Sequence, residues 1–370
     1  MSSRCVTGVT LRDFRSYRAA DVSLGEGVTV VSGANGAGKT NLLEGIYFGC
    51  TGRSCRTANE RDVVRFGAVA ARVVVRAQGD DGSHELSVGF APGEVKRLRV
   101  DGAPVERLLD DPNRPLVGVF LPDRLELVKG APVLRRAHLD QLVGALWPAR
   151  VATRRAYAQT LAQRNALISR IRAGRASRVS LSTWDAQLAT HGVALMRDRE
   201  QAVALLSDPF ARLSARLGLG EELSLFYRPR SRASEPEELA VELSQRTDSD
   251  LERGYTGHGP HRDELALVRE GRDLRSFGSQ GQQRLALLAL LLAERAAIAD
   301  LRQTTPLMLL DDVMSELDLG RRRALVDLLR LGGGQAVITT TDVGHVPGAS
   351  DAQVARLAVA EGLICHEVTA

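Results

Sequence analysis

The chain has 370 residues, of which 44% are hydrophobic and 25% charged, and it carries a net charge of +4. That length holds two lobes or one large domain with an insertion, and the apolar share excludes a chain too polar to fold. Its longest apolar stretch, residues 285–293, falls far short of the roughly 20 residues that a bilayer-spanning helix needs, which argues against a membrane protein.

Met1-Ser2-Ser3-Arg4-Cys5 has no apolar signal region, so a cytoplasmic protein is expected. Residues 1–128 read as strand-rich α/β, with strands at 6–12, 28–32, 71–77, 85–90 and 117–121 and turns such as Gly79-Asp80-Asp81-Gly82. The second of these strands runs into Gly33-Ala34-Asn35-Gly36-Ala37-Gly38-Lys39-Thr40, and helical spacing follows over 41–48. The pattern G-x-x-x-x-G-K-T between a strand and a helix is a phosphate loop, so the expected ligands are ATP and Mg²⁺. In it the backbone N–H groups curl around a phosphate, the lysine reaches the β/γ oxygens, and the hydroxyl holds Mg²⁺. Lysine usage sharpens the point: Lys39 is one of three lysines in a chain with 46 arginines. A compact ammonium fits between phosphates where a planar fork does not. Cys5, Cys50, Cys55 and Cys365 lack metal-ligand spacing and read as reduced thiols.

From 131 to 217 the pattern changes to long helical periodicity with few glycines, broken near Gly174 and at Asp208-Pro209, and reads as a helical insertion. Between Asp140 and Asp185 there is no acid, while Arg150, Arg154, Arg155, Arg164, Arg170, Arg172, Arg175 and Arg178 lie in that interval. A local excess of this kind suits the phosphates of DNA, and Arg164, Arg172 and Arg175 are the expected contacts. The spacing shows no clean basic face, because Arg154, Tyr157, Leu161, Arg164, Ile168 and Ile171 share one stripe. A short strand at 223–227, a polar loop at 228–236 and a helix follow.

The α/β character returns near 254, with strands at 264–269 and 305–310 around a helix at 279–301. The expected division is therefore an ATPase head from 1–128 and 255–370, with a helical lobe over 129–254. Pro306-Leu307-Met308-Leu309-Leu310-Asp311-Asp312 is an apolar strand ending in two carboxylates. Asp311 is the expected Mg²⁺ ligand beside Thr40, and Asp312, opposite Lys39, the acid that orients an attacking water.

Phe277-Gly278-Ser279-Gln280-Gly281-Gln282-Gln283-Arg284, 27 residues before Asp311, resembles the Leu-Ser-Gly-Gly-Gln signature of ABC-type ATPases. Ser279, Gly281 and Gln282 match it, while Gly278 and Gln280 depart from it. In such enzymes this serine and the helix N-terminus grip the γ-phosphate of ATP held by a partner subunit. Ser315-Glu316-Leu317-Asp318 likewise resembles the D-loop at that interface.

The ATPase motifs alone specify only an ABC-type head. Together with Leu11-Arg12-Asp13-Phe14-Arg15-Ser16-Tyr17, Glu126-Leu127-Val128-Lys129-Gly130, Gln163-Arg164-Asn165 and Gly259-Pro260-His261-Arg262-Asp263-Glu264-Leu265, the chain resembles the RecF family, related to SMC heads. The resemblance implies an α/β ABC-type P-loop head with a helical second lobe and an ATP-dependent homodimer. It also implies weak DNA-dependent ATPase activity, and DNA binding at gaps or junctions during replication, repair and the SOS response. RecR, RecO and RecA would be the partners. An ATPase subunit of an ABC transporter, another SMC-like ATPase and a small-molecule kinase are the competing readings. Three departures bear on the γ-phosphate: Asp312 stands where most ABC enzymes carry glutamate, threonines occupy 339–341 where a switch histidine is usual, and no glutamine occurs between Val105 and Val133.

Overall fold

The computed structural model describes residues 4–220 and 223–366, so Met1, Ser2 and Ser3 of the segment searched for a signal lie outside the described residues. Two compact units emerge: unit 1 comprises Met1–Arg124, Arg216–Gly218 and Leu291–Ala370, and unit 2 comprises Leu125–Ala215 and Leu219–Leu290.

In unit 1 the chain forms β1 (Cys5–Phe14), β2 (Tyr17–Ser23), β3 (Val28–Ser32), α1 (Lys39–Thr51), β4 (Ala71–Gly79), β5 (Gly82–Phe90), β6 (Arg97–Val100), β7 (Ala103–Pro104) and β8 (Val117–Phe120). It then enters unit 2 with α2 (Glu126–Lys129), α3 (Pro132–Leu146), α4 (Val151–Arg172) and α5 (Leu181–Arg216). Next come β9 (Leu223–Arg228), α6 (Pro236–Gln245), α7 (Thr247–Arg253), β10 (Glu264–Arg269), β11 (Arg272–Asp273), α8 (Leu274–Phe277) and α9 (Gln280–Arg302). β12 (Leu307–Leu310), α10 (Leu319–Leu331), β13 (Ala336–Thr340), β14 (Ala355–Ala360) and β15 (Leu363–His366) complete unit 1.

The strands of unit 1 build two sheets around α1. One is antiparallel, in the order β2-β1-β4-β5-β6-β7; the other runs β15-β14-β3-β13-β12-β8, and its strands β14, β3, β13, β12 and β8 are parallel. β3 and β13 are buried along their whole length, as strands covered on both faces must be. Two glycines on α1 set how closely the helix lies on the antiparallel sheet. A Cβ at Gly45 would stand 2.7 Å from Leu11 Cδ2, and one at Gly49 would stand 2.3 Å from Val75 Cγ2. Leu42, Leu43, Ile46 and Phe48 are fully buried around them, each contributing about 1.5–3 kcal/mol.

Unit 2 joins long helices to the small antiparallel sheet β11-β10-β9. The boundary read at 254 shifts to 290, because β10 pairs with β9 and Arg135 on α3 grips Glu264 through two 2.7 Å bonds. Residues 255–290, Ser279 among them, thus pack with the helical lobe rather than with the C-terminal part of the head. The break expected at Pro209 is absent. α5 runs through it, and the buried Leu206, Phe210 and Ser214 offset the roughly 3 kcal/mol that an internal proline costs. The break near Gly174 is present: Gly174 takes φ 69°, and the N–H of Arg175 donates to the carbonyl of Arg170 at 2.8 Å. The long Arg154-to-Ile171 stripe is the inner face of α4, with Tyr157, Arg164 and Ile168 buried. Among the described residues no helix is long and apolar enough to cross a membrane, and the four cysteines are unpaired.

Candidate functional site

The loop after β3 is shaped by glycines that nothing larger could replace. Gly36 and Gly38 take φ of 80° and 118°, and a Cβ on Gly33 would stand 2.3 Å from the Val359 carbonyl oxygen. Lys39 begins α1 and is buried, and its Nζ donates to the carbonyls of Gly33 at 2.6 Å and Ala34 at 2.9 Å. Burial lowers its pKa, while the nearby Asp312 and Asp311 act in the opposite direction. Ala34, Asn35 and Ala37 complete the loop's backbone, with Ala37 N–H donating to Ala34 O at 3.2 Å.

The run 11–17, noted above only as a family mark, clamps this loop. Tyr17 Oη donates to the Gly38 carbonyl at 2.9 Å, and Asn41 Nδ2 donates to Ser16 Oγ at 3.0 Å. Arg15 grips the fully buried Glu44 of α1 with two bonds of 2.8 and 2.7 Å, and Ser54 and Arg56 also bind that carboxylate. Removing Arg15 would strand a buried charge and thereby loosen the helix whose N-terminus carries the loop.

Parallel pairing of β12 with β13, and of β13 with β3, brings Asp311 to the phosphate loop at the carboxyl ends of the strands. Thr40 Oγ1 lies 3.0 and 2.9 Å from the two carboxylate oxygens of Asp311. Thr339 Oγ1, at the end of β13, donates to Asp311 Oδ1 at 2.7 Å and accepts from the Asp312 N–H at 2.9 Å. Burial raises the pKa of Asp311, against the hydrogen bonds from Thr339 and Thr40, and Asp312 adds to the rise. Asp312 itself sits at φ 43°. Its Oδ2 accepts from Ser315 Oγ at 3.0 Å, and its Oδ1 is buried with no partner among the described residues. Lys39, Thr40, Asp311 and Asp312 thus converge as the sequence reading requires. Thr339 was visible there only as an unexpected replacement for histidine. His345 remains apart, 3.9 Å from Asp342.

This donor set suits Mg²⁺ held with phosphate. Among the described residues no three His, Cys, Asp or Glu side chains gather to hold a metal alone, whereas one hydroxyl and one carboxylate are what Mg²⁺ takes when phosphate oxygens and water fill its remaining positions. The unpartnered Asp312 Oδ1 supplies a free acceptor beside them.

Ser279, Gly281 and Gln282 lie in unit 2, at the start of α9. Ser279 N–H donates to Gln282 Oε1 at 2.9 Å and Gln282 N–H to Ser279 Oγ at 3.3 Å, a reciprocal capping box. Ser279 and Gly281 are exposed, and nothing lies within 4 Å of where a Gly281 Cβ would stand. Asp318 of the D-loop caps α10 by accepting from Arg321 N–H at 2.9 Å.

The basic segment requires a correction. Arg164 is 0% exposed and cannot reach a DNA backbone: it donates at 2.7 Å to each of Asp185 and Asp250, and at 2.8 Å to Thr256 Oγ1. Arg150, Arg154 and Arg178 are paired with Asp198, Asp140 and Asp248. Carboxylates outside the segment thus neutralise much of its charge. Arg172 and Arg175 are exposed and keep their availability. The family marks around them form the same buried frame. Asn165 Oδ1 accepts from the N–H of Thr256 at 2.8 Å, Arg199 binds Asp140, Asp263 and the Pro260 carbonyl, and His261 lies between Tyr157 Oη and the Thr256 carbonyl at 2.8 Å each. The Thr256 carbonyl can only accept, so Nε2 carries the ring proton and Nδ1 accepts from Tyr157.

Comparison with known proteins agrees with this geometry. The AAA domain family matches residues 9–97. The DNA replication and repair protein RecF of Heliobacterium modesticaldum is 37% identical over 362 residues, covering 96% of both chains. Among solved structures, the recombination mediator protein RecF with ATP superposes with a TM-score of 0.86 at 25% identity, covering 99% of this chain and 98% of that one. The Smc head domain from Pyrococcus furiosus shares the fold at a TM-score of 0.58, with 16% identity and coverage of 98% and 96%. An α/β P-loop ATPase fold carrying the Thr40–Asp311–Thr339 cluster, matched to such relatives along nearly its whole length, places the chain in the RecF family.

Proposed function

We propose that this protein is an ATP-switched recombination mediator that binds DNA and dimerises on ATP. One observation carries the reading: the chain of bonds from Thr40 through Asp311 and Thr339 to Asp312, set beside Lys39. The glycine loop receives the phosphates on its N–H groups, and Lys39 exchanges the Gly33 and Ala34 carbonyls for β/γ oxygens. Thr40 and Asp311 hold Mg²⁺, which neutralises charge on those oxygens. Asp312 offers Oδ1 to an attacking water. Its side chain is one methylene shorter than glutamate and holds that water less firmly, so hydrolysis is slow and serves as a timer.

In this reading Ser279, Gly281 and the cap of α9 meet the γ-phosphate bound by a second subunit, and ATP thereby joins two copies of the chain. The solved relative named for the RecFOR pathway supports a role with RecR and RecO ahead of RecA loading at gaps or junctions. Exposed Arg172 and Arg175 contribute sequence-independent affinity for DNA phosphates. Sedimentation velocity without nucleotide, with ADP and with ATP, each with and without a gapped duplex, tests the proposal. A dimer with ATP alone, strengthened by the duplex, is expected. A monomer under every condition would refute it.

A further inference from the structure

Wherever unit 2 buries an arginine it supplies a carboxylate: Arg135 has Glu264, Arg164 has Asp185 and Asp250, and Arg199 has Asp140 and Asp263. One cleft breaks that rule. It encloses about 320 Å³ and is lined by Arg230, Arg253, Tyr255, Gly257 and Arg262. All three arginines are exposed, and among the described residues none has an ion-pair partner. Like charges gathered without counter-charge repel one another, an arrangement that suits an anion arriving from outside.

The cleft also offers a ring. Tyr255 is 44% exposed, and the Arg262 guanidinium lies over it, 5.2 Å from the ring centroid. Glycines make the space. Arg253 Nη1 passes 2.9 Å from where a Gly257 Cβ would stand, and Arg172 Nη1 passes 2.3 Å from the equivalent point on Gly254. The exposed end of α4 therefore reaches the rim of the same cleft.

We propose that this cleft holds one nucleotide of an unpaired DNA strand, with its phosphate among Arg230, Arg253 and Arg262 and its base stacked on Tyr255. Arginine forks match phosphate oxygens bidentately, and an aromatic face stacks any base. The volume lies at the small end of ligand sites, enough for a single nucleotide and too small for a duplex. An acidic peptide would satisfy the arginines but leave the ring unused. The proposal rests on the DNA-binding reading above and goes beyond it in naming the strand, the residues and the mode of contact.

Fluorescence anisotropy with labelled oligothymidine and with a blunt duplex of equal length tests it. Arg230→Ala combined with Arg253→Ala should lower oligothymidine affinity at least tenfold and flatten its log–log salt slope by about 1.4, from about 0.7 per phosphate contact. Tyr255→Leu should lower oligothymidine affinity about 5- to 150-fold and change duplex affinity less than twofold. ATP binding, unchanged in each variant, reports an intact fold. Wild-type affinity in the double variant, or equal losses for both DNAs in Tyr255→Leu, would overturn the assignment. So would a polyglutamate peptide that outcompetes oligothymidine on the wild type and no longer binds the double variant. A wild-type chain that binds neither DNA would instead defeat the DNA-binding reading itself.

Discussion

Arg164→Ala separates a structural arginine from a DNA contact. The wild-type guanidinium is fully buried and satisfies two carboxylates, Asp185 and Asp250, which are 5% and 1% exposed. Removing it leaves both in place with no cation, a loss of about 3–5 kcal/mol. The population of the locally unfolded state should rise by roughly 150- to 4,000-fold. Amide hydrogen exchange in α4 and at Thr256, which Arg164 and Asn165 bind together, should report that rise. The deficit should also depend on pH. Burial already raises the pKa of Asp185 in the wild type, against the pull of Arg164. A carboxyl whose folded pKa is raised binds its proton more tightly in the fold, so its stabilising share is present at low pH and lost as pH rises through the folded value. Without Arg164 that value climbs further and the loss extends to higher pH, so the variant should recover protection between pH 7 and pH 5 while the wild type does not gain comparably. Wild-type exchange rates in Arg164→Ala, together with weakened DNA binding, would refute the buried-lattice account.

Two further changes probe the site and its supporting frame. Thr339→Val keeps the shape of the side chain but removes the hydroxyl that joins Asp311 to the Asp312 N–H, and should lower steady-state ATP turnover about 5- to 150-fold while ATP binding falls less. Equal turnover would exclude Thr339 as the residue that positions the acids. His261 is held near a pKa of about 4, chiefly by burial. A base with a depressed folded pKa contributes stability that is complete above its unfolded value near 6.5 and is lost as pH falls towards 4, here about 3 kcal/mol. His261→Gln should flatten that acid limb in thermal melts across pH 4–7, and an unchanged limb would place its origin elsewhere.

The phosphate loop was legible in the sequence because its chemistry needs contiguous residues whose glycine φ values are dictated locally. Asp311 was legible because an apolar run ending in acids marks the end of a buried parallel strand. Thr339 and Tyr17 were not, since the pairing of β12 with β13 and the β1–β2 hairpin bring them to the site across long stretches of chain. Arg164 was misread for a related reason. Its partners lie 21 and 86 residues away, so a count of charge within the segment could not include them. β2, β14 and β15 also escaped the pattern. Arg18, Asp21 and Ser23 alternate with a buried face only once β1 supplies it, and β15 is too exposed to show an apolar run. Pro209 showed that helix breakers yield to a well-packed face.

The central claim is that the nucleotide site is composite, with Lys39 from one subunit and Ser279 from the other. Mixing the Lys39→Ala and Ser279→Arg proteins tests it directly, because a mixed dimer would contain one site with both wild-type residues and one with neither. ATP turnover absent from each variant alone should appear in the mixture and vary with the mixing ratio. No recovery in mixtures of folded variants, with the Ser279→Arg protein still binding ATP, would contradict a site shared between two chains.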